Sequence, residues 1–140
     1  IKLNDVDLKT TYNNLIDNFG KEDRIGKGML NGKEFDSYHF LFRGNYIEYM
    51  ANENVIALTK IHFQTPKLIV NFRGELLNSE SKLKDFRINE KEAFCNSIYY
   101  EQSEKYVLLY RGSVDNEIYE LSFKKGKLID LKVSWNNPPD

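Results

Sequence analysis

Residues 119–133 read YELSFKKGKLIDLKV, two runs of alternating apolar and polar residues on either side of Lys124-Lys125-Gly126. This alternation is typical of antiparallel strands that bury one face. A three-residue loop with Gly126 in the left-handed conformation would pair Phe123 with Lys127. In this register one face collects Tyr119, Leu121, Ile129, Leu131 and Val133. We therefore predict a hairpin whose apolar face belongs to the core.

The preceding strand, predicted over residues 105–111, decides which side chains face solvent. If residues 112–116 form a five-residue loop, Val107 and Leu109 lie on the core face. The opposite face then carries an apolar, tyrosine-rich cluster, Tyr106, Leu108, Tyr110 and Ile118, bordered by Glu120, Ser122, Asp130 and Lys132. Such a cluster on the water-exposed side of a sheet is typical of protein-binding surfaces, and we predict these four apolar residues as the partner-binding site. The alternatives are that the first half of the chain covers them, or that a one-residue change in the loop turns them inward.

The first half of the chain begins with an amphipathic helix. Its apolar residues recur at helical spacing: Leu8, Tyr12, Leu15, Ile16 and Phe19. Thr10 or Thr11 is the predicted N-cap, and Gly20 is the predicted end of the helix. The charged, glycine-containing segment over residues 21–33 that follows is predicted to be an irregular connection or a ragged edge strand.

A second predicted hairpin is centred on Gly44-Asn45, which can form a two-residue turn. This turn would pair Phe40 with Tyr49 and Phe42 with Ile47. One face of the hairpin then collects only apolar and aromatic residues: Tyr38, Phe40, Phe42, Ile47 and Tyr49. We predict that this face, like that of the C-terminal hairpin, is part of the core.

The second half repeats the order of the first. Asn89 and Glu92 have the spacing of a capping box, which predicts a helix running to about Ile98 and followed by strands. The predicted fold class is therefore α+β, with two helix-then-antiparallel-strand repeats forming one sheet and the helices packed on one face. We expect one domain over residues 1–140, with repeat one over about 1–77 and repeat two over about 83–135.

Composition narrows the function classes. The chain has 20 basic and 21 acidic residues, a net charge of −1 and a pI near 6.2. Nucleic-acid-binding domains are usually strongly basic, so the charge balance argues against a nucleic-acid partner, although a local basic patch remains compatible with it. The single Cys95 excludes an internal disulfide and a multi-cysteine zinc site, and it is predicted to be a buried small side chain.

The sequence leaves the location of the protein open. No apolar run approaches the roughly 18 residues that a membrane-spanning helix requires. Because residue 1 is isoleucine, we expect that an upstream piece has been removed, so that cytoplasmic and exported (periplasm or envelope) locations are both open.

Two histidines, His39 and His62, are the candidates for acid–base chemistry or imidazole ligation. The predicted strands place them at opposite ends of the sheet, on the order of 20 Å apart at ~3.3 Å per residue, so we expect that they do not share a site. Calcium-loop, phosphate-loop and nucleophile-elbow patterns fail on spacing or residue type. We therefore predict no catalytic residue, no metal site and no cofactor.

The ending Phe19-Gly20 of the first helix and the Phe123-x-x-Gly126-x-Leu128 hairpin carry a resemblance to known proteins. The order of elements around them resembles the two-repeat α+β scaffold of the β-lactamase inhibitory protein family and of the small outer-membrane assembly lipoproteins. The chain also looks like bacterial toxin-immunity proteins. These resemblances imply a non-enzymatic protein that neutralises a partner protein.

We therefore predict a non-catalytic protein-binding module of the immunity or inhibitor type, not an enzyme, whose partner is another protein. One alternative is an exported, envelope-associated accessory protein or lipoprotein with a structural role. A second is a small-ligand carrier or an enzyme with a pocket between sheet and helices. A homodimer formed through an open sheet edge is compatible with each of these.

Overall fold

The computed structural model describes residues 2–3, 6–30, 32–51, 55–85, 96–102, 104–112 and 117–135. The elements of the fold, in chain order, are β1 (Lys2–Leu3), β2 (Val6–Asp7), β3 (Lys9–Thr10), α1 (Tyr12–Phe19), β4 (Arg24–Leu30), β5 (Lys33–Phe42), β6 (Asn45–Ala51), β7 (Ile56–His62), β8 (Val70–Phe72), β9 (Glu75–Leu77), β10 (Asn96–Tyr100), β11 (Lys105–Arg111), β12 (Ile118–Lys124) and β13 (Lys127–Ser134).

A large antiparallel sheet dominates the structure, with the strand order β10-β11-β12-β13-β7-β6-β5-β4. Strand β7 pairs with β6 along one side, and on its other side with β13 over residues 60–62 and with β3 over residues 56–57. The strands of the two halves therefore belong to one sheet. A second, small sheet has the order β2-β1-β8-β9.

The helix α1 forms as its sequence predicts. Thr11 is the N-cap, and its hydroxyl accepts a hydrogen bond from the Asn14 amide at 3.3 Å. Gly20 ends the helix with φ 80°, and its amide donates to the Ile16 carbonyl at 2.9 Å. The predicted helix and the role of Gly20 are confirmed, and Thr11 is the capping residue of the two threonines.

The predicted α+β fold with two helix-then-strand repeats is wrong, because strands account for 61% of the structure and helices for 10%. Of the two alternatives predicted for residues 21–33, the edge strand is the one observed, since residues 24–30 form β4 at the end of the strand order. Residues 96–98 belong to β10, where the second helix was expected to end. The predicted capping box at Asn89 and Glu92 lies outside the described residues. Residues 83–85 are helical, six residues before that predicted start.

The core lies between the large sheet and a layer made of α1 and the small sheet. We call the covered side of the large sheet its inner face and the other side its outer face. The Phe19 ring of α1 packs on Phe40 and Phe42, with centroids 5.9 and 5.0 Å apart. From the small sheet, the fully buried Phe72 makes edge contacts with Tyr110 at 5.4 Å and with Tyr119 at 5.5 Å. The small sheet thus takes part of the place that helices were expected to fill.

The β5–β6 hairpin turns one residue earlier than predicted, at Arg43-Gly44, where φ is 49° and 81°. Phe40 therefore pairs with Ile47 and not with Tyr49. A slip of two residues leaves every side chain on its predicted face, so the expected core set still faces inward. The turn is held by the buried Asn45, whose side-chain oxygen accepts hydrogen bonds from the Gln64 and Thr65 amides at 2.8 and 3.0 Å.

The β12–β13 hairpin also has a two-residue turn, Lys125-Gly126, where three residues were predicted. Gly126 has φ 80°, as its predicted role requires, but Phe123 pairs with Leu128 and not with Lys127. A β-bulge between Ser122 and Phe123 shifts the register, so that Leu121 faces Leu131 and not Ile129, which the predicted register would place there. The bulge replaces Ile129 in the predicted core set by Leu128.

The Phe72 contacts predict a large stability effect from a single truncation. Phe72→Ala removes a fully buried ring between the two sheets, and we expect the free energy of unfolding to fall by about 3–5 kcal/mol, measured by urea denaturation. Leu76→Ala in the same hairpin is the matched control, because Leu76 is 70% exposed and its truncation should change stability by less than about 0.5 kcal/mol. Equal losses in the two variants would contradict this packing.

Candidate functional site

The predicted partner-binding cluster is not one exposed patch, because the loop before β12 has six residues, 112–117, and not five. The Gly112 amide donates to the Glu117 carbonyl at 2.7 Å, and Arg111 pairs with Ile118. This one-residue change turns Leu108 and Tyr110 onto the inner face, where each is 1% exposed. The exposure that the prediction assumed is therefore absent for these two residues.

The other two predicted residues lie on opposite faces. Ile118 is 37% exposed on the outer face. Tyr106 is partly buried on the inner face beside Tyr99, with ring centroids 6.1 Å apart, and Tyr99 itself is 57% exposed. A role of Tyr106 or Ile118 in partner binding stays a prediction, but the two cannot act as parts of one surface.

The outer face carries a row of polar side chains directly opposite one another on six neighbouring strands. From β4 to β12 the row is Arg24, His39, Glu48, Lys60, Lys132 and Glu120. Most of these side chains are partly or fully exposed. This is the solvated side that an antiparallel sheet packed on one face is expected to have.

His39 lies in this row and forms a buried hydrogen-bonded cluster with Ser37. The distance from Ser37 Oγ to His39 Nε2 is 2.8 Å, and Arg24 Nη2 lies 3.4 Å from His39 Nδ1, which also contacts the Tyr46 hydroxyl. A guanidinium group only donates, so Nδ1 is the acceptor and Nε2 carries the proton. A histidine that activates a serine must instead accept the serine proton at this nitrogen. The pair therefore has the wrong tautomer for a nucleophile and its base.

The chain itself also covers this pair. Gly26 of β4 lies opposite Ser37, and a β-carbon at Gly26 would come within 3.2 Å of both Ser37 Oγ and His39 Nε2. Ser37 and His39 are 6% and 7% exposed. Glycine at residue 26 thus permits a close approach of the backbone that closes the cluster to a substrate. The cluster is best explained as part of the sheet's packing.

The second histidine, His62, forms a hydrogen bond with Asp130, with 2.6 Å between Nδ1 and Oδ1. Tyr46 lies directly opposite His62 and also contacts His39, so the prediction that the two histidines occupy opposite ends of the sheet is wrong. Two strand spacings and two residues separate them, which is about 12 Å. In the described ranges, no group of three His, Cys, Asp or Glu side chains is arranged to hold a metal ion.

Two exposed apolar residues lie on one side of the β4 edge of the large sheet. Ile25 and Met29 of β4 are 54% and 65% exposed and point to the inner-face side, since Ile25 pairs with Tyr38. The Tyr38 ring meets Tyr12 of α1 edge-on at 5.4 Å, and Tyr12 is 37% exposed. We call Tyr12, Ile25, Met29 and Tyr38 the edge patch.

Strand β4 is also an open hydrogen-bonding edge. Among the described residues it pairs with β5 on one side only, so the N–H and C=O groups of alternate residues in this seven-residue strand face outward. Natural edge strands are often protected by a lysine, and β4 carries Lys27 at its centre. Here Asp36 and Glu34 of β5 lie 2.5 and 3.8 Å from Lys27 Nζ, and the hydrogen bond to Asp36 raises the pKa of this lysine. Lys27 therefore stays charged and is paired with carboxylates of the neighbouring strand.

The edge patch was not predicted, because residues 21–33 were left open between an irregular connection and a ragged edge strand, so the faces of Ile25 and Met29 were not assigned. The available signal was the spacing of Ile25, Lys27 and Met29, which alternates with Gly26 and Gly28 as a strand does. Two glycines in a strand weaken the usual composition signal, so the pattern was masked.

The fold and the site together define a predominantly antiparallel β chain in which, among the described residues, the β4 edge of the large sheet is open and carries exposed apolar residues. No protein-family model and no curated protein matches the chain. Among solved structures, a "putative beta-lactamase inhibitor protein from Streptococcus mutans" is 16% identical, with a TM-score of 0.34, and the similarity covers 89% of this chain and 82% of that chain. The description of this neighbour and the first resemblance of the sequence name the same kind of protein, a β-lactamase inhibitor. The other two resemblances have no counterpart in these comparisons.

A membrane-spanning helix was not expected from the sequence. Within the residues that the structure describes, no helix has the length and apolar character needed to cross a bilayer.

The His39 cluster predicts a pH-dependent contribution to stability. Burial lowers the pKa of His39, while the Glu48 carboxylate opposes this shift and Arg24 adds to it. The unfolded state therefore takes up a proton near pH 6.5 before the folded state does, so this contribution is present above that pH and is lost as the pH falls.

We expect the free energy of unfolding of the wild type, relative to His39→Gln, to decrease between pH 8 and pH 5 in urea titrations. His62→Gln is the control, because it retains His39 and with it this dependence. A difference between wild type and His39→Gln that stays constant with pH would contradict the assignment.

Proposed function

We propose that this chain is a non-catalytic protein-binding module of the inhibitor or immunity type, which binds its partner through the β4 edge and the edge patch. The observation that carries the proposal is the open seven-residue strand β4 with exposed Ile25 and Met29 beside it. The module acts as one domain in this proposal, which the pairing of β7 with β13 supports.

The backbone of β4 supplies the first part of a binding site. Unpaired amide and carbonyl groups on a sheet edge can pair with an extended segment of another protein, and such strand addition is a recurrent mode of recognition. The hydrogen bonds supply affinity in this mode, while side chains beside the strand supply specificity. Ile25 and Met29 lie four residues apart on one side of β4, so both can contact alternate side chains of an added strand.

The aromatic residues supply the second part. Tyrosine and methionine are enriched at protein interfaces, where a large side chain buries area with few rotatable bonds or adapts to its partner. Tyr12 is held in place, because its ring packs on Tyr38 and its hydroxyl donates to Glu22 at 2.8 Å. A preordered side chain loses less conformational entropy when a partner binds.

A non-catalytic role fits the geometry of the polar groups. The proton on His39 Nε2 is on the wrong nitrogen for serine activation, and the pair is covered by Gly26. His62, whose side chain is 38% exposed, contacts the buried Asp130, and in the described residues no third His, Cys, Asp or Glu joins them in a metal-binding arrangement.

The proposal predicts that charge placed on the β4 edge abolishes partner binding. We would immobilise the wild type, an Ile25→Lys/Met29→Lys variant and a Leu41→Lys/Leu76→Lys control, and capture proteins from lysate and envelope fractions of the source organism. The control adds the same two positive charges away from β4, at residues that are 65% and 70% exposed. We expect one protein to be retained by the wild type and the control and lost by the edge variant.

The captured protein, once purified, should bind the edge variant about 100-fold more weakly than the wild type, since two anchoring apolar side chains are lost. Hydrogen exchange of the complex should show protection of the β4 amides. Light scattering of the free chain tests for self-association. If the wild type is a dimer and the edge variant is a monomer, the partner that binds β4 is a second copy of this chain and not another protein. Equal affinity for all three chains would overturn the proposal.

A further inference from the structure

Four lysines face one another across one end of the large sheet. Lys82 pairs with Lys127 in an antiparallel bridge, Lys127 pairs with Lys124 across the β12–β13 turn, and Lys124 pairs with Lys105 of β11. Directly paired residues of antiparallel strands point to the same face. We call Lys82, Lys105, Lys124 and Lys127 the lysine ladder.

A pocket opens beside this ladder. It has a volume of about 360 Å³ and is lined by Lys82, Leu83, Lys84, Lys125, Gly126 and Lys127. Two backbone hydrogen bonds fix the pocket walls: Leu83 donates to Gly126, and Leu128 donates to Ser81, both at 2.9 Å. The pocket is therefore built from a defined junction between residues 81–83 and the β12–β13 hairpin.

The lysine ladder is unfavourable for the isolated chain. Side chains of directly opposed strand residues start about 5 Å apart, and like charges in this arrangement destabilise a sheet. In the parts of the chain that the structure describes, no carboxylate lies within the 4 Å of an ion pair from any lysine of the ladder. By contrast, Lys27 at the other end of the sheet has two carboxylate partners. The positive charge at this end is thus available to an external anion.

We infer that the lysine ladder and its pocket bind an acidic segment, rich in aspartate or glutamate, of the protein partner. This inference rests on the proposed protein-binding function and specifies the chemistry of the partner. Charge complementarity is the argument: a chain of net charge −1 places six lysines at one site, and none of the six has an ion-pair partner among the described residues. An acidic segment would both relieve the repulsion and speed the encounter with the partner.

A polypeptide fits this site better than a nucleic acid does. The ladder spans three strand spacings, about 15 Å, whereas nucleic-acid binding usually uses a longer basic face. The ladder contains lysines and no arginine, and arginine provides the paired donors that suit phosphates. Leu83 and the lysine methylene groups also give the pocket an apolar lining that accommodates side chains of a peptide.

The test is a titration of the full chain with poly-L-glutamate of about 20 residues at low salt, in which binding is measured by isothermal calorimetry. A Lys82→Gln/Lys124→Gln/Lys127→Gln variant removes three charges of the ladder. The matched control, Lys21→Gln/Lys33→Gln/Lys67→Gln, removes three exposed lysines elsewhere. We expect the ladder variant to bind about tenfold more weakly than the wild type, with the control unchanged and the wild-type affinity falling as salt is added.

Three results would overturn the inference: no binding of poly-L-glutamate by the wild type, equal weakening in the ladder and control variants, or tighter binding of a single-stranded oligonucleotide of the same charge. The last result would indicate a nucleic-acid site. None of these measurements involves Ile25 or Met29, so failure of the lysine ladder is distinguishable from failure of the β4 edge.

The repulsion in the ladder has its own measurable effect. Lys124 faces two lysines, so Lys124→Gln should raise the midpoint of thermal unfolding by about 2 °C at low salt, and less at high salt. Lys67→Gln is the control and should leave the midpoint unchanged. A lower midpoint for Lys124→Gln would show that this lysine is compensated in the folded chain, which would contradict the argument for an external anion.

Discussion

The pairing of β7 with β13 is the interaction on which the arrangement of the large sheet depends. Three residue pairs, over residues 60–62 and 130–132, join the strands β10–β13 to the strands β4–β7. Beyond them, β3 continues the pairing along β7, and the Trp135 indole donates to the Leu58 carbonyl at 3.0 Å. The pairing of β7 with β13 sets the position of the β4 edge, at one end of the strand order, relative to the lysine ladder of β11–β13. A partner that uses both must therefore span the sheet.

Much of the local structure could be predicted from the sequence, and the errors have a common cause. The bounds of β11, the cap at Thr11 and the end at Gly20 follow from local chemistry and agree with the structure. Register depends on loop length, which local patterns do not specify. A two-residue slip around Gly44 left all side chains on their predicted face, whereas a one-residue error in the loop before β12 exchanged the two faces of β11.

The fold class could not be predicted, because the strands that distinguish the observed fold from the predicted one leave little trace in the sequence. Strands β1, β2 and β3 have two residues each, too few for an alternating pattern. Strand β4 contains two glycines that resemble loop residues. The candidate sites were missed for the same reason: the edge patch lies on β4, and the lysine ladder joins Lys82 and Lys105, which only strand pairing brings together.

The indole of Trp135 makes the junction between β7 and β13 observable by fluorescence. The chain has one tryptophan, which is 5% exposed, lies 5.7 Å from the Lys9 ammonium and bonds to the backbone of β7. Tryptophan has an apolar body and a single polar N–H, so its excited state is sensitive to the entry of water. The tryptophan fluorescence of the protein, excited where tyrosine does not absorb, therefore reports on one place, the junction of β13, β7 and β3. Separation of the two halves would be visible in emission without an added label.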